Sequence, residues 1–392
     1  MGALVVGQTG GPTAVINASL AGMIAEARQH SAIDRVYGMR HGLEGFLQGQ
    51  MVDLSAVPDE TLSALAQTPA AVLGSSRYKV MDEDYGRLVA QCEQADIRYL
   101  ALIGGNGTMY VCQRIAEYAA VAGYELGVMG VPKTIDNDLA VTDHTPGYGS
   151  AARFLALAAR DTGRDLEAMV TFDDVLILET LGRHASWLAA GAALAKTDDD
   201  EAPHLVYVPE VAFDVSRFLD EVRRVHSRLG RVFVVIGEGI RDADGQFIGA
   251  QNAPKDAIGR VLYSASSGAA AFLAERVSET LRMQVRFLRP GLIGRDFSAC
   301  VSRVDRDEAW QVGAEAVRRL AAGETGLMVT LERQSSQPYT CVTGVTRLDT
   351  VAGLEKLLPR EYLDEAGTMV TPAFYEYALP LLGDPLLPMV RL

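Results

Sequence analysis

The run Val131-Pro-Lys-Thr-Ile-Asp-Asn-Asp138 places a cation and two carboxylates in one short segment. The ammonium group of Lys133 can neutralise phosphate oxygens, and the carboxylates of Asp136 and Asp138 can accept a proton or hold a cation. Phosphoryl transfer needs these parts, because positioning and charge neutralisation do most of the catalytic work in that reaction. The segment therefore predicts a phosphoryl-transfer site.

Two glycine-rich turns have the composition of anion-binding loops. Leu102-Ile-Gly-Gly-Asn-Gly-Thr108 reads as an apolar strand that enters a turn, and Gln8-Thr-Gly-Gly-Pro-Thr follows the first strand and precedes an alanine-rich helix. Glycine lets backbone N–H groups approach an anion closely, and a helix N-terminus favours phosphate. Taken alone, Gly10 and Gly11 are equally compatible with a plain tight turn. The turn is not a P-loop, because no Gly-Lys-Ser/Thr follows.

A third polar turn carries two basic side chains. The run Ala71-Val-Leu-Gly-Ser-Ser-Arg-Tyr-Lys79 is interpreted as a strand that ends in a turn with Arg77 and Lys79. Two cations beside small residues fit an anion site, but by itself this pattern is more typical of a solvated surface turn.

Strand patterns alternate with helical patterns along the whole chain, which predicts an α/β fold with parallel, doubly wound sheets. The length of 392 residues favours two such Rossmann-like domains. Ligands bind such sheets at the carboxyl ends of the strands. Because Gly10, Arg77, Asn106 and Asp136 each follow a predicted strand, we expect them at one shared edge.

Composition limits the class of function. A net charge of −14 and 48% hydrophobic residues describe a folded acidic protein, which is a poor partner for nucleic acids or anionic membranes. An anionic substrate must then be held by local basic groups. The N-terminus reads as a strand and not as a signal peptide, and the scattered cysteines argue against a zinc site or a disulfide framework. These features predict a cytoplasmic protein. The cysteines are Cys92, Cys112, Cys300 and Cys341.

Six motifs in this order resemble the 6-phosphofructokinase family over almost the whole chain. The run Lys-Thr-Ile-Asp-Asn-Asp is highly specific to that family. The motifs are Thr9-Gly-Gly-Pro-Thr-Ala-Val-Ile-Asn17, Gly104-Gly-Asn-Gly-Thr108, Pro132-Lys-Thr-Ile-Asp-Asn-Asp138, Thr180-Leu-Gly-Arg183, Glu238 within Gly237-Glu-Gly239, and Pro290-Gly-Leu-Ile-Gly-Arg295.

The resemblance implies a reaction and catalytic roles. Asp136 is expected to be the general base on the 1-hydroxyl of fructose 6-phosphate, giving fructose 1,6-bisphosphate in glycolysis. The alternative is that Asp136 only caps a turn. Thr134 is expected to hydrogen-bond the sugar or the transferred phosphoryl group. Asp138, with Asn106 at the usual magnesium-binding position, is expected to orient the site or hold Mg²⁺, and Lys133 completes the catalytic set.

Binding roles follow from the same resemblance. The expected donor-binding residues are Gly10, Gly11, Arg77, Gly105, Gly107, Thr108 and Lys133. The expected sugar-phosphate residues are Thr134, Asp136, Leu181, Gly182, Arg183, Glu238, Arg286 and Arg295. In the family, the residue matching Arg286 comes from a neighbouring subunit, so a homodimer or homotetramer with shared active sites is expected. Residues 1–147 with about 299–345 are expected to bind the donor, and residues 148–298 with about 346–392 the sugar phosphate. The active site is expected in the cleft between these two domains.

Three departures from the family pattern keep other functions open. Leu292 stands where His or Tyr is common, Asp174 where a further arginine is expected, and Asn106 where aspartate is usual. A non-catalytic, sugar-phosphate-binding regulatory subunit is therefore one alternative. Transfer to another sugar phosphate, such as sedoheptulose 7-phosphate, is a second. A protein resembling diacylglycerol kinase or NAD kinase is a third, which the Lys133 segment disfavours.

The phosphoryl donor is harder to predict than the reaction. Gly107 is typical of family members that use ATP, whereas Lys133 is typical of those that use pyrophosphate, although some ATP users also have it. Val111 stands where ATP users have glycine, and a β-branched side chain there is expected to obstruct a nucleotide. Asn106 also occurs at this position in some pyrophosphate users. The opening run Gln8–Asn17, the turn Gly74–Lys79 and the tail Thr371–Gly383 resemble the pyrophosphate-dependent group as well. Together these features favour pyrophosphate and leave ATP as the alternative.

Overall fold

The computed structural model describes residues 1–249 and 268–390. The chain divides into two compact units. Unit 1 comprises Met1–Ala151 and Arg295–Lys356, and unit 2 comprises Ala152–Gly294 and Leu357–Leu392. The donor and sugar-phosphate roles that the sequence assigns to two domains stay predictions, as does the cleft.

The strands and helices alternate along most of the described chain. The strands are β1 (Gly2–Gln8), β2 (Ile33–Met39), β3 (Met51–Asp53), β4 (Ile97–Gly104), β5 (Gly127–Pro132), β6 (Val175–Thr180), β7 (Leu205–Tyr207), β8 (Val232–Gly237), β9 (Val285–Leu288), β10 (Leu327–Ser336) and β11 (Tyr339–Arg347). The helices are α1 (Ile16–Ala27), α2 (Gly42–Leu47), α3 (Asp59–Leu65), α4 (Asp82–Gln94), α5 (Asn106–Ala122), α6 (Tyr148–Ala168), α7 (Trp187–Gly191), α8 (Val215–Leu229), α9 (Ala269–Leu281), α10 (Ile293–Asp296), α11 (Arg303–Ala321) and α12 (Pro372–Ala378).

Each unit is built on one sheet, and the predicted α/β class is confirmed. In unit 1 the strand order is β11-β10-β5-β4-β1-β2-β3, with β3 and β11 antiparallel at the two edges and the strands between them parallel. In unit 2 the order of the described strands is β7-β8-β6-β9, and each of these strands pairs in parallel with its neighbours. Parallel strands need crossover helices, which cover the sheet faces and explain the apolar runs in the strands.

The core of unit 1 lies on both faces of its sheet. Leu4 and Val6 of β1 belong to one buried cluster, while Val5 between them belongs to another. Successive side chains of a strand point to opposite faces, so β1 is apolar at each position from Ala3 to Val6 because both of its faces are covered. Such central strands bring their carboxyl ends to the same edge, where the predicted site residues follow.

Two sequence expectations about local structure are wrong. The segment starting at Ala71 is not a strand, because side chains and not a neighbouring strand bind its backbone: Asn17 Oδ1 accepts from the Val72 amide and Gln8 Oε1 from the Leu73 amide. Arg77 therefore does not follow a strand. The stretch Gly42-Leu-Glu-Gly-Phe46 is predicted from the sequence to be a loop, but it forms most of α2. Within the described residues, no helix is long and apolar enough to cross a membrane.

Candidate active site

The two glycine turns of unit 1 lie side by side at the carboxyl edge of its sheet. They follow β1 and β4, which are paired neighbours. Thr9 and Thr108 join the turns through a 2.6 Å hydrogen bond between their hydroxyl oxygens. A Cβ atom on Gly104 would lie 2.1 Å from Thr108 Oγ1, so only glycine fits this junction. The sequence predicts that these turns lie at one edge of the sheet, and the pairing of β1 with β4 places them there.

Lys133 contacts both glycine turns. Its side chain is only 3% exposed, its Nζ donates to the Gly11 carbonyl at 2.7 Å, and its amide donates to the Gly104 carbonyl at 3.0 Å. Burial lowers the pKa of Lys133 to about 8, although the nearby Asp136 carboxylate opposes this shift. The sheet edge therefore holds a desolvated cation against a turn whose glycines leave its backbone accessible.

The acidic segment (residues 136–138) begins three residues after this lysine and is fixed by hydrogen bonds. The Asp136 amide donates to Thr134 Oγ1 at 3.1 Å, and the Thr134 carbonyl accepts from Thr145 Oγ1 at 2.9 Å. Asn137 is fully buried and has a φ of +53°, in the left-handed region that asparagine tolerates better than most residues. The positions of Asp136 and Asp138 therefore depend on how this one residue is held.

Asn106 and Asp138 form a small polar group beside the glycine turn. Asn106 Nδ2 donates to the Asp138 carbonyl at 3.3 Å and approaches Asp138 Oδ2 at 3.5 Å. Oδ1 of each residue is buried and accepts no hydrogen bond from the part of the chain that the structure describes. Burial raises the pKa of Asp138 above its usual range. Two buried oxygens without donors have the chemistry of cation ligands.

These oxygens fit magnesium but do not form a closed site. Among the described residues, no three His, Cys, Asp or Glu side chains come together as a metal-binding group. Magnesium keeps several waters and is commonly held by one or two protein oxygens together with substrate phosphates. The pair Asn106 and Asp138 matches that mode, in which the phosphoryl donor completes the coordination.

Three further donor-binding predictions fall on this unit. Arg77 is exposed, and its turn is tied to the first glycine turn because Ser75 Oγ donates to the Gly10 carbonyl at 2.6 Å. A Cβ atom on Gly105 would lie 3.6 Å from the Lys133 carbonyl oxygen, whereas one on Gly107 would meet nothing within 4 Å. Gly107 thus borders open space within its unit.

Val111 does not point freely outward from α5. It is half-buried and packs against the core cluster on that face of the sheet, while the neighbouring Tyr110 is 49% exposed. The expected obstruction of a nucleotide by Val111 stays a prediction.

Arg295 lies in unit 1, although the sequence groups it with sugar-phosphate residues of the other domain. A Cβ atom on Gly11 would be 3.0 Å from Arg295 Nη1, so the guanidinium lies against the same turn that Lys133 contacts. Arg295 Nε is 3.4 Å from Asp296 Oδ2. The acidic neighbour Asp296 was missed by sequence reasoning. The role of Arg295 in phosphate binding stays a prediction.

In unit 2, the predicted Leu-Gly-Arg element and Glu238 follow adjacent parallel strands. The Glu238 amide donates to the Thr180 carbonyl at 3.0 Å, and a Cβ atom on Gly239 would lie 1.8 Å from the Arg183 carbonyl oxygen. Gly182, next to the half-buried Leu181, has a φ of +111°. Burial raises the pKa of Glu238, and Arg183 opposes the shift. These two segments are therefore brought together as the sequence predicts.

Arg286, near the start of β9, and Arg289, directly after β9, are paired with carboxylates that sequence reasoning missed. Arg286 Nε donates to Asp173 Oδ2 at 2.8 Å, and its side chain is 59% exposed. Arg289 Nε lies 3.0 Å from Oε1 of the buried Glu179. A signal existed for Glu179, since a carboxylate that ends an apolar strand run must find a partner.

The departure at Asp174 has a local explanation. Its Oδ1 lies 2.9 Å from His226 Nε2, and its Oδ2 accepts from the Gln284 amide at 2.8 Å. The carboxylate joins α8 to the start of β9. Leu292, the other departure in this unit, is 63% exposed.

Comparison with known proteins agrees with this arrangement. The family model described as phosphofructokinase matches residues 3–320. The chain belongs to the phosphofructokinase family. It is 38% identical over 97% of its length to a pyrophosphate–fructose 6-phosphate 1-phosphotransferase of Xanthomonas campestris, covering 91% of that protein. It is 36% identical over 92% of its length to a sulfofructose kinase of Alkalicoccus urumqiensis, covering 91% of that protein.

A solved structure extends the likeness to the fold. The pyrophosphate-dependent phosphofructokinase of Marinobacter aquaeolei superposes with a TM-score of 0.89 at 32% identity, over 100% of this chain and 94% of that one. The chain is accordingly a phosphotransferase of this family, as the sequence predicts. None of the relatives named above is a diacylglycerol kinase, an NAD kinase or a non-catalytic subunit.

Proposed function

We propose that this phosphofructokinase transfers a phosphoryl group from pyrophosphate to the 1-hydroxyl of fructose 6-phosphate, a step of glycolysis. The observation that carries the proposal is the position of Lys133, buried against the first glycine turn and three residues before the acidic segment. A desolvated cation beside backbone N–H groups and carboxylates is the arrangement that phosphoryl transfer requires.

The proposed step assigns one task to each group. The carboxylate of Asp136 accepts the proton of the 1-hydroxyl as that oxygen attacks phosphorus, and the bond from phosphorus to the bridging oxygen of pyrophosphate breaks. The products are fructose 1,6-bisphosphate and orthophosphate. Lys133 offsets the negative charge on the phosphoryl oxygens, while Thr108 and the turn from Gly10 to Gly11 line the donor side. Thr134 holds the Asp136 amide and so orients the base.

Magnesium is part of the proposal. Bound magnesium would neutralise phosphate oxygens of the donor. Asn106 and Asp138 are the residues that would hold it, because their buried Oδ1 atoms accept no hydrogen bond from the described chain. A cytoplasmic setting is also proposed, in keeping with four free cysteines.

Arg183, Glu238 and Arg286 are proposed to bind the sugar phosphate, with Arg295 as a further phosphate ligand. Glutamate accepts hydrogen bonds from sugar hydroxyls, and arginine forms bidentate contacts with phosphate. Burial holds the Glu238 pKa above its usual range, and the Arg183 charge opposes that shift and favours the ionised acceptor.

A second copy of the chain is proposed to cover the β9 edge of unit 2. Among the described strands of that sheet, β9 is the outermost, and its residues from Arg286 to Leu288 are exposed. Leu292 and Ile293 nearby in the chain are 63% and 60% exposed. An apolar edge strand of this kind is an interaction surface, and a second copy would place Arg286 at a shared site.

The donor assay tests the central claim. Purified protein is incubated with fructose 6-phosphate and magnesium, with either pyrophosphate or ATP, and fructose 1,6-bisphosphate is measured. We expect turnover with pyrophosphate. Turnover with ATP alone would overturn the choice of donor. If Val111 excludes a nucleotide, Val111→Gly should improve use of ATP; Val121→Gly, at an exposed site near the end of the same helix, serves as the control.

A second acceptor is favoured by one observation. Arg286 and Arg289 are each neutralised by a carboxylate partner, so the arginine pairs carry little net charge. A sulfonate bears one negative charge fewer than a fully ionised phosphate ester and needs less compensation. Since one relative is named a sulfofructose kinase, sulfofructose belongs in the acceptor panel of the same assay, together with sedoheptulose 7-phosphate.

A further inference from the structure

Lys356, the last residue of unit 1, reaches the chain that carries the acidic segment. Its Nζ donates to the Asp143 carbonyl at 2.7 Å, to the Thr142 carbonyl at 3.1 Å and to Asn137 Oδ1 at 3.3 Å. A lysine ammonium group has three N–H donors, and the structure supplies an acceptor in each of three places. The side chain is thus directed into unit 1 and ties three positions of one loop together.

The backbone beside Lys356 adds to this attachment. The Lys356 amide donates to the Asp138 carbonyl at 2.8 Å, and Glu355 forms a β-bridge with Leu139. The Asp138 carbonyl also accepts from Asn106 Nδ2 at 3.3 Å. The acidic segment is therefore held on one side by the second glycine turn and on another by residues that are distant in sequence.

Asn137 is the point at which the Lys356 side chain enters the acidic segment. Asn137 lies between the proposed base and the proposed metal ligand, is fully buried, and has a φ of +53°. A non-glycine residue in this conformation persists only when its surroundings hold it there. The hydrogen bond from Lys356 Nζ to Asn137 Oδ1 is one such constraint. Its loss would let the peptide planes on both sides of Asn137 rotate.

We infer that Lys356 is a positioning residue for phosphoryl transfer, which acts through Asn137 to aim the carboxylates of Asp136 and Asp138. The inference rests on the proposed function, since it assigns Lys356 a role in the same site. The role inferred for Lys356 is to position these carboxylates, not to contact the substrate. A displacement of about 1 Å in a reacting group is enough to cost on the order of 10²-fold in rate. The expected loss is therefore in turnover and not in binding.

The test compares Lys356→Met with Lys356→Gln and with a matched control. Lys196 is the control, because it is also a partly buried lysine that donates to backbone carbonyls, those of Asp199 and Glu201, and it lies in unit 2. For each variant, kcat, the KM of fructose 6-phosphate, the magnesium requirement and the melting temperature are measured.

Lys356→Met is expected to lower kcat on the order of 10²-fold with a KM change below about threefold. Lys356→Gln retains N–H donors and should recover part of the lost kcat. Lys196→Met should lower the melting temperature without lowering kcat at temperatures where it is folded. A kcat for Lys356→Met within about threefold of the unchanged protein would overturn the inference. So would equal losses for Lys356→Met and Lys196→Met, or failure of both Lys356 variants to fold.

The activity of the unsubstituted protein distinguishes a failure of this inference from a failure of the proposed function. If that protein turns over neither pyrophosphate nor ATP with any acceptor, the proposed function fails and the role of Lys356 fails with it. If it is active and Lys356→Met is equally active, the proposed function stands and only the positioning role is lost.

Discussion

The two units hold the cations of their candidate sites in different ways. In unit 1, the buried ammonium of Lys133 donates to a backbone carbonyl, that of Gly11. In unit 2, the guanidinium groups of Arg286 and Arg289 are each held by a carboxylate. A carbonyl group orients a cation and leaves its net charge unchanged, whereas a carboxylate orients the cation and also neutralises its charge.

This difference separates charge that acts on a reaction from charge that recognises a substrate. A desolvated cation whose hydrogen bond goes to a carbonyl, with carboxylates nearby, interacts strongly with negative charge that develops during transfer. A guanidinium fixed by a carboxylate keeps its direction and further N–H donors, but adds little net charge. The contrast predicts that substitutions in unit 1 change turnover with the donor, whereas those in unit 2 change the KM of the acceptor.

The largest effect is expected from Asp136→Asn. This change keeps the size of the side chain and removes its ability to accept the hydroxyl proton, so kcat should fall by about 10²- to 10⁴-fold. Steady-state kinetics with saturating donor and acceptor measure it. Asp220→Asn, at an exposed carboxylate of unit 2, is the matched control. Near-normal kcat in Asp136→Asn would remove that residue from the chemistry.

Lys133→Met should reduce kcat/KM for the donor by about 10²- to 10³-fold, because it removes one preorganised charge. The unchanged protein should also lose kcat/KM for the donor as pH rises through about 8, since the lowered pKa of Lys133 means that its ammonium loses its proton there. The pH profile of Lys133→Met should lack this limb. An identical basic limb in both proteins would assign it to another group.

Arg286→Met should raise the KM of the acceptor about 10-fold or more with a smaller change in kcat, because a charge-assisted contact is lost. Its control is Arg223→Met, at an exposed arginine of the same unit that pairs with Asp220. Asp173→Asn frees the guanidinium from its partner and should produce a smaller rise in KM. If Arg286→Met lowered kcat and left KM unchanged, the contrast between the units would fail.

A smaller effect, on stability, is expected from His144 of unit 1, whose positive charge is neutralised by two carboxylates. The buried His144 ring lies 2.7 Å from Asp143 Oδ2 and 2.6 Å from Glu308 Oε2. Burial alone lowers its pKa, but these carboxylates outweigh burial and raise it from 6.5 to about 9. Because the folded pKa is the higher one, this stabilisation is complete below pH about 6.5 and is lost as pH rises to about 9.

The measurement is the melting temperature of the unchanged protein and of His144→Gln across that pH range. The difference in melting temperature between the two proteins should be largest at the acidic end of the range and should decrease as pH rises. A difference in melting temperature that stays constant with pH would show that His144 is not charged in the folded protein. Activity near neutral pH serves as the control for folding of the variant.

Local order and strand alternation were enough to predict that the glycine turns and the acidic segment lie at one edge of a sheet. The glycine turns and the acidic segment follow β1, β4 and β5, and parallel strands bring such segments to one edge whatever their loops do. The family pattern could be read for the same reason, since its motifs are short and contiguous. One local prediction failed at Ala71, where side-chain amides of distant residues satisfied a backbone that reads as a strand.

Contacts between distant residues required the folded chain. Arg286 and its partner Asp173 are 113 positions apart, and Lys356 and Asn137 are 219 apart. The sequence assigns Arg295 to the sugar-phosphate domain, but in the folded chain it belongs to unit 1 and lies against the turn at Gly11. Periodicity and motif spacing report which face a residue occupies within its own element, but partner choice is set by packing of elements that are far apart in sequence. Residue types and local order thus defined the chemistry of this phosphofructokinase, and tertiary packing decided which charges are cancelled and which remain available.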